Sequence, residues 1–284
     1  MPHPVRVEPV AVGGPSAQVV SRRVHQERVL LAGWGRAILL QLAHPLVACG
    51  VAEHSRFSRR PREWLRRLDR TLHAMLALTF GSADDVAATA ARINGIHDRV
   101  HGPLGKAAGG LTAGARYSAH DPALLAWVHA TLIDSFLLTY RRFVGPLDGL
   151  EADRYCSESS GVEAMLEIPA GRLPRTEAEL RRYLADTMAS GAIEVTDTAR
   201  ALARQVLAPP VPWLLGPVLQ PLLRVAALPA VGLLPPAIRE AYGLPWSTGR
   251  ERALRLMTAS SRAVLPLVPG TLRYWPAARR GAQQ

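Results

Sequence analysis

Apolar residues recur along this chain every three or four positions, the period of a helix that buries one face. Leu31, Trp34, Ile38 and Leu42 fall on one stripe, and the spacing predicts a first helix over 21–41. Pro45 breaks the pattern, and a short second helix is expected through Val51. Leu65, Leu68, Leu72 and Leu76 form the inner side of a strong amphipathic helix over 61–79, with Gly81 at its stop. The next stripe, Val86, Ala90, Ile93, His97 and Val100, predicts a helix over 83–101. Asp121-Pro122 supplies a cap and a first-turn proline for a helix with Leu125, Val128, Leu132 and Phe136 inward. Further helices are expected near 149–166, 176–190, 193–206 and 248–264. No segment alternates with period two, so few or no strands are expected. The fold class is all-α: a single helical domain, globin-like in character, over 21–276. A proline-rich flexible arm, 1–20, precedes it and a short tail, 277–284, follows.

Two segments depart from simple amphipathic helices. Residues 102–114 hold five glycines and read as a mobile loop able to gate a pocket. Residues 209–236, PPVPWLLGPVLQPLLRVAALPAVGLLPP, are apolar but cut by prolines, Gln220 and Arg224. A spanning helix needs about 20 uninterrupted apolar residues. Two short apolar helices fit better, either as core or as a membrane-surface element.

Composition narrows the partners. The chain is 48% hydrophobic and 20% charged, which suits a packed domain. The net charge of +11 rests almost entirely on arginine, since Lys106 is the only lysine. No basic run is interleaved with aromatics for base stacking, so nucleic acid is not an expected partner. An anionic membrane surface suits the charge better. Cys49 and Cys156 are too few for a disulfide framework or a cysteine metal cage. The first residues lack a signal-type apolar core, and the expected compartment is cytoplasmic, with peripheral membrane contact. Oligomeric state is left open.

Catalytic elbows, HExxH helices, phosphate loops and dinucleotide glycine motifs are absent. What stands out is histidine. Nine are present, five of them between 44 and 101. His97 lies on an apolar stripe, where an imidazole needs a hydrogen bond, a metal or a cofactor iron. His97 and His101 are four apart, a spacing that on a helix would let both rings reach one metal. Arg67, Arg70 and Thr71 share one helix face with Trp64, either as a solvated face or as a polar pocket wall. His129 lies on the Leu125–Phe136 side of its helix and is the runner-up ligand. His44 precedes Pro45 and reads as a helix cap or a contact to a cofactor carboxylate; His54 reads as supporting structure near a site. Gly33-Trp34-Gly35 reads as close packing against a flat ligand or a neighbouring helix.

Taken together, QLAHPLVACGVAEHS, RLDRT with the following FGS, INGIHDRVHG, YSAHDPALLAWVHATLIDS, LLPPAIREAYGLPWS and LRYWP resemble a family. It is the MpaB-type oxygenases, which share a catalytic domain with rubber oxygenase, the latex clearing protein. The resemblance covers about 23–276. It implies an all-helical fold around haem b, with His97 as the iron ligand and so the metal residue. His44, His54, Trp34, His129 and His101 are the other candidate cofactor contacts. The family's Arg-x-x-Lys-Thr triplet, whose lysine can cap the iron, is matched by Arg67, Arg70 and Thr71. Arg70 stands where the rubber enzyme has lysine. A guanidinium stays protonated and is a poor ligand, so Arg70 is expected to donate hydrogen bonds instead. Glu53 stands nearest in sequence to the family's distal glutamate. The implied activity is an oxidoreductase using dioxygen or peroxide on a hydrophobic small molecule, by oxidative C=C cleavage, as fungal relatives cleave an isoprenoid side chain. Two other readings stay open: a helical haem- or lipid-binding protein without turnover, and a non-haem metal hydrolase using His97, His101 and Glu53.

Overall fold

The structure is a computed structural model that describes residues 19–54, 61–209, 211 and 216–280. The arm expected over 1–20 lies almost wholly outside these residues. The fold is all-α. It runs through α1 (Val20–His25), α2 (Leu31–Leu42), α3 (Pro45–His54), α4 (Pro61–Phe80) and α5 (Ala83–His97). A two-stranded hairpin follows, β1 (His101–Pro103) and β2 (Arg116–Ser118). Then come α6 (Pro122–Phe143), α7 (Gly149–Ser159), α8 (Val162–Met165), α9 (Glu177–Ala189) and α10 (Asp197–Leu207). The chain ends with α11 (Gly216–Ala226), α12 (Leu228–Gly232), α13 (Pro236–Ala241), α14 (Thr248–Val264), α15 (Gly270–Arg273) and α16 (Pro276–Arg280).

Local chemistry sets many of these boundaries. Ser82 and Asp85, Asp148 and Glu151, and Thr176 and Glu179 each form a reciprocal capping box that satisfies the free amides at a helix start. Asp121 caps α6 by accepting from the Ala123 amide, with Pro122 in the first turn.

α6 is the central helix. It is long and apolar enough to cross a membrane by composition, yet 67% of its apolar window is buried within the domain, which marks it as the core helix. Its hydroxyls are hidden by donating to their own helix: Thr131 to the Trp127 carbonyl, Ser135 to Thr131 and Thr139 to Ser135, at 2.6–2.8 Å. That leaves a smooth, small-residue surface on which α2 packs closely. A Cβ on Gly33 would lie 2.1 Å from the Thr139 hydroxyl, and one on Gly35 would lie 2.7 Å from Ala230 of α12. The Gly33-Trp34-Gly35 glycines therefore serve helix–helix contact. Arg36 is buried in the same interface, where it donates to the Leu233 carbonyl and the Ser135 hydroxyl and pairs with Asp134 at 2.7 Å.

Two expectations are corrected. The first helix is not continuous. Glu27 leaves the helical conformation, its backbone pairs with Tyr274, and its carboxylate takes Arg273 at 2.6 Å. α5 ends at His97 rather than at 101, because the chain turns through Asp98–Val100 into β1. There Gly102 passes under Tyr117: a Cβ would lie 3.0 Å from the Tyr117 hydroxyl. The glycine-rich 102–114 segment lies within the hairpin region, with Leu104 and Ala108 buried and the Gly109 amide donating to Glu194 at 2.5 Å. Within the proline-cut segment, the described residues 216–232 form the short helices α11 and α12, as the pattern implied.

Candidate functional site

One large cavity, about 670 Å³, lies between α2, α4, α6 and α11. Its walls are apolar: Trp34, Ile38 and Leu42 from α2, Ala74, Met75 and Leu78 from α4, and Val128, Leu132 and Ile133 from α6. α5 contributes Ile93, α8 contributes Val162 and Met165, and α11 contributes Leu223 and Ala226. The volume falls inside the range of roughly 300–1,000 Å³ typical of small-molecule and cofactor sites.

Several polar groups on the wall are already engaged with protein. The Gln41 amide donates to the Val128 carbonyl at 3.2 Å. Glu158 accepts from the Val20 and Ser21 amides at 3.2 and 2.7 Å, which caps α1. Arg22 donates to the Thr79 carbonyl at 3.3 Å.

Two imidazoles remain. His25 lines the cavity from the end of α1; its Nε2 shares a hydrogen bond with the Tyr155 hydroxyl at 3.0 Å, and its ring edge meets Phe136. Its Nδ1 is buried and unpartnered among the described residues. His129 lines the cavity from α6, and its ring has no hydrogen-bond partner among the described residues. Burial pushes both down to about pKa 4, and the nearby His129 pushes His25 further the same way. Both rings are therefore neutral near pH 7, with a nitrogen lone pair available.

These shifts set a pH dependence. Unfolded, each histidine protonates near 6.5; folded, each resists protonation until about 4. Between those values the unfolded chain binds more protons, so stability falls as pH drops from 6.5 toward 4, and these groups add no slope above 6.5. The expected slope is about 1.4 kcal/mol per histidine per pH unit. Urea unfolding from pH 7 to 4.5 measures it. His25→Gln combined with His129→Gln should flatten the acid limb, and an unchanged limb refutes the assignment.

The structure sorts the sequence candidates. Trp34, Thr71 and His129 line the cavity; Thr71 does so from an exposed position at its rim. Arg70 is exposed on the same helix and is not part of the lining, and the side chains of Trp64 and Arg67 lie outside the described residues. His97 is half-buried at the end of α5, one turn past Ile93, and is not part of the lining. Its Nδ1 is buried without a partner among the described residues, and its ring stands 5.7 Å from that of His120, which Asp98 holds at 2.8 Å. Burial, then His120, lower the His97 pKa. His101 lies in β1, so the i, i+4 helical geometry assumed for His97 and His101 is absent.

Glu53 lies outside the cavity lining. It accepts from the Tyr117 hydroxyl at 2.5 Å and from the Cys49 thiol at 3.3 Å. His54 bonds the His101 carbonyl at 3.2 Å, edge-on to Tyr117. His44 is a cap: its Nδ1 accepts from the Leu46 amide in the first turn of α3. No part of 102–114 lines the cavity, so the segment is not placed to gate it. Sequence reasoning missed His25. It sits at the end of the short α1, next to Val24, and no apolar stripe in the sequence singled it out.

An apolar cavity enclosed by helices and lined by neutral imidazoles has the size and character of small-molecule and cofactor sites, within an all-helical domain. Residues 21–263 match the family model described as "ER-bound oxygenase mpaB/B'/Rubber oxygenase, catalytic domain", and the chain belongs to that family. It thus carries an oxygenase-type catalytic domain. No curated protein and no solved structure matches it.

Proposed function

We propose that this protein is a haem b-dependent oxygenase acting on a lipophilic, alkene-containing small molecule. The observation that carries the reading is the apolar cavity of about 670 Å³ with His129 on its wall, inside a domain of an oxygenase family. A haem needs an apolar enclosure and a neutral imidazole whose nitrogen is not taken by another hydrogen bond. The cavity and His129 offer both. The resemblance that pointed to His97 is a second candidate for the iron, favoured by its unpartnered buried Nδ1.

When bound, the haem supplies the redox chemistry with dioxygen or peroxide that oxidative C=C cleavage requires. The chain's own contribution is enclosure, orientation and exclusion of water. Trp34, Leu132 and Met75 present apolar surface to a lipophile, and the Thr71 hydroxyl stands at the rim. The hydrolase reading finds no support: among the described residues no cluster of three or more His, Cys, Asp or Glu side chains could hold a metal ion.

The test is the absorption spectrum and iron content of protein purified from haem-supplemented cells. A Soret band with one iron per chain is expected. Colourless protein that still binds a lipophilic probe means a binding module without haem chemistry.

A further inference from the structure

We propose that α11 docks the protein on an anionic lipid surface and that the cavity fills from that surface. α11 is a single layer between the cavity and solvent. Its inner side chains, Leu223 and Ala226, line the cavity, while its outer side chains Leu222 and Val225 are 61% and 52% exposed. Ala226 is at once exposed and part of the lining, so the helix reaches the cavity rim. Leu31, 40% exposed, also lines the cavity, as does the exposed Arg22. The way in is thus flanked by apolar surface and by arginine.

Charge selects the occupant of this surface. No Asp or Glu occurs between Asp197 and Glu240, whereas Arg200, Arg204, Arg224 and Arg239 do, and Arg224 is exposed between Leu222 and Val225. An apolar helix face that carries an exposed arginine complements an anionic bilayer: the leucine and valine enter the acyl boundary while the Arg224 guanidinium meets the headgroups. A lipophilic molecule dissolved in that bilayer would reach the cavity without crossing water. The docking rests on α11 alone and does not depend on the cofactor reading.

The experiment is flotation of the full-length protein with vesicles of phosphatidylcholine, with and without phosphatidylglycerol, at low and high salt. Wild type should float with the anionic vesicles at low salt and much less with neutral ones. Leu222→Glu with Val225→Glu should lower the partition coefficient on the order of tenfold or more. Arg224→Glu, which leaves the apolar face intact, should weaken binding to anionic vesicles only. Leu256→Glu with Leu267→Glu alters a second exposed apolar patch, on α14 and just beyond it, and should bind like wild type. Equal recovery of wild type with and without vesicles overturns the proposal. So does loss of binding in the α14 variant alone. So does a change in oligomeric state, without a change in flotation, when Leu222 and Val225 are replaced, since a second copy then covers the face. Soret absorbance read on the same fractions separates the two proposals: colourless protein that floats refutes the haem alone, and haem-loaded protein that does not float refutes the docking alone.

Discussion

His129→Ala is expected to lose haem, and His97→Ala is expected to keep it. His129 is a cavity-wall imidazole on α6, held neutral by burial, whose ring is not committed to a hydrogen bond among the described residues. Removing the residue that bonds the iron should weaken retention on the order of 100-fold or more, since even changes to groups behind a ligand cost about 10–100-fold. The fold should survive, because the missing ring leaves no protein partner stranded; far-UV circular dichroism checks this. His97 packs against His120 at the end of α5, outside the cavity lining, so its truncation should leave the Soret band in place. The opposite pattern, haem lost with His97→Ala and kept with His129→Ala, would favour the residue indicated by family resemblance. It would move the iron to the α5–His120 end of the molecule.

Helices with strong local signals were legible in the sequence. α14 spans the expected residues 248–264, and α4 and α9 differ from expectation by about a residue. Caps and apolar period are encoded within a few residues, so they can be read from the chain alone. The breaks were not legible, because their causes are distant. Glu27 abandons its helix for Arg273, far along the chain, and α5 stops where Gly102 must pass Tyr117 and Glu53. The second break changes which histidines can act together, since it separates His101 from the helix face of His97. Trp34, Thr71 and His129, singled out in the sequence, line the cavity from α2, α4 and α6. Glu53 was placed by motif proximity alone, and the fold commits it to Tyr117 and Cys49 instead.

Glu27→Ala is expected to destabilise the protein by about 3–5 kcal/mol, the cost of removing one partner of a buried ion pair. Glu27 is 1% exposed, and its carboxylate accepts from Arg273 Nε at 2.9 and 3.0 Å and from Nη2 at 2.6 Å. The hydrogen bond to Glu27 is the main cause raising the Arg273 pKa; without it the guanidinium still stays charged, because arginine is intrinsically protonated in proteins. The pair also anchors a strap. The Trp275 amide donates to the Gln26 carbonyl at 3.1 Å, Arg28 Nε donates to the Tyr274 carbonyl at 3.0 Å, and the Arg28 guanidinium lies over the Trp275 ring. Beyond the strap, α16 packs on α4, which is a wall of the cavity. Loosening it should therefore lower affinity for any cavity ligand as well as stability. In thermal unfolding the loss corresponds to a Tm roughly 6–15 °C lower. Glu27→Leu combined with Arg273→Leu should recover part of it, because no unpaired charge is then left behind. A loss below about 1 kcal/mol in the single variant is what an exposed pair gives, and would show that solvent screens this one despite its burial.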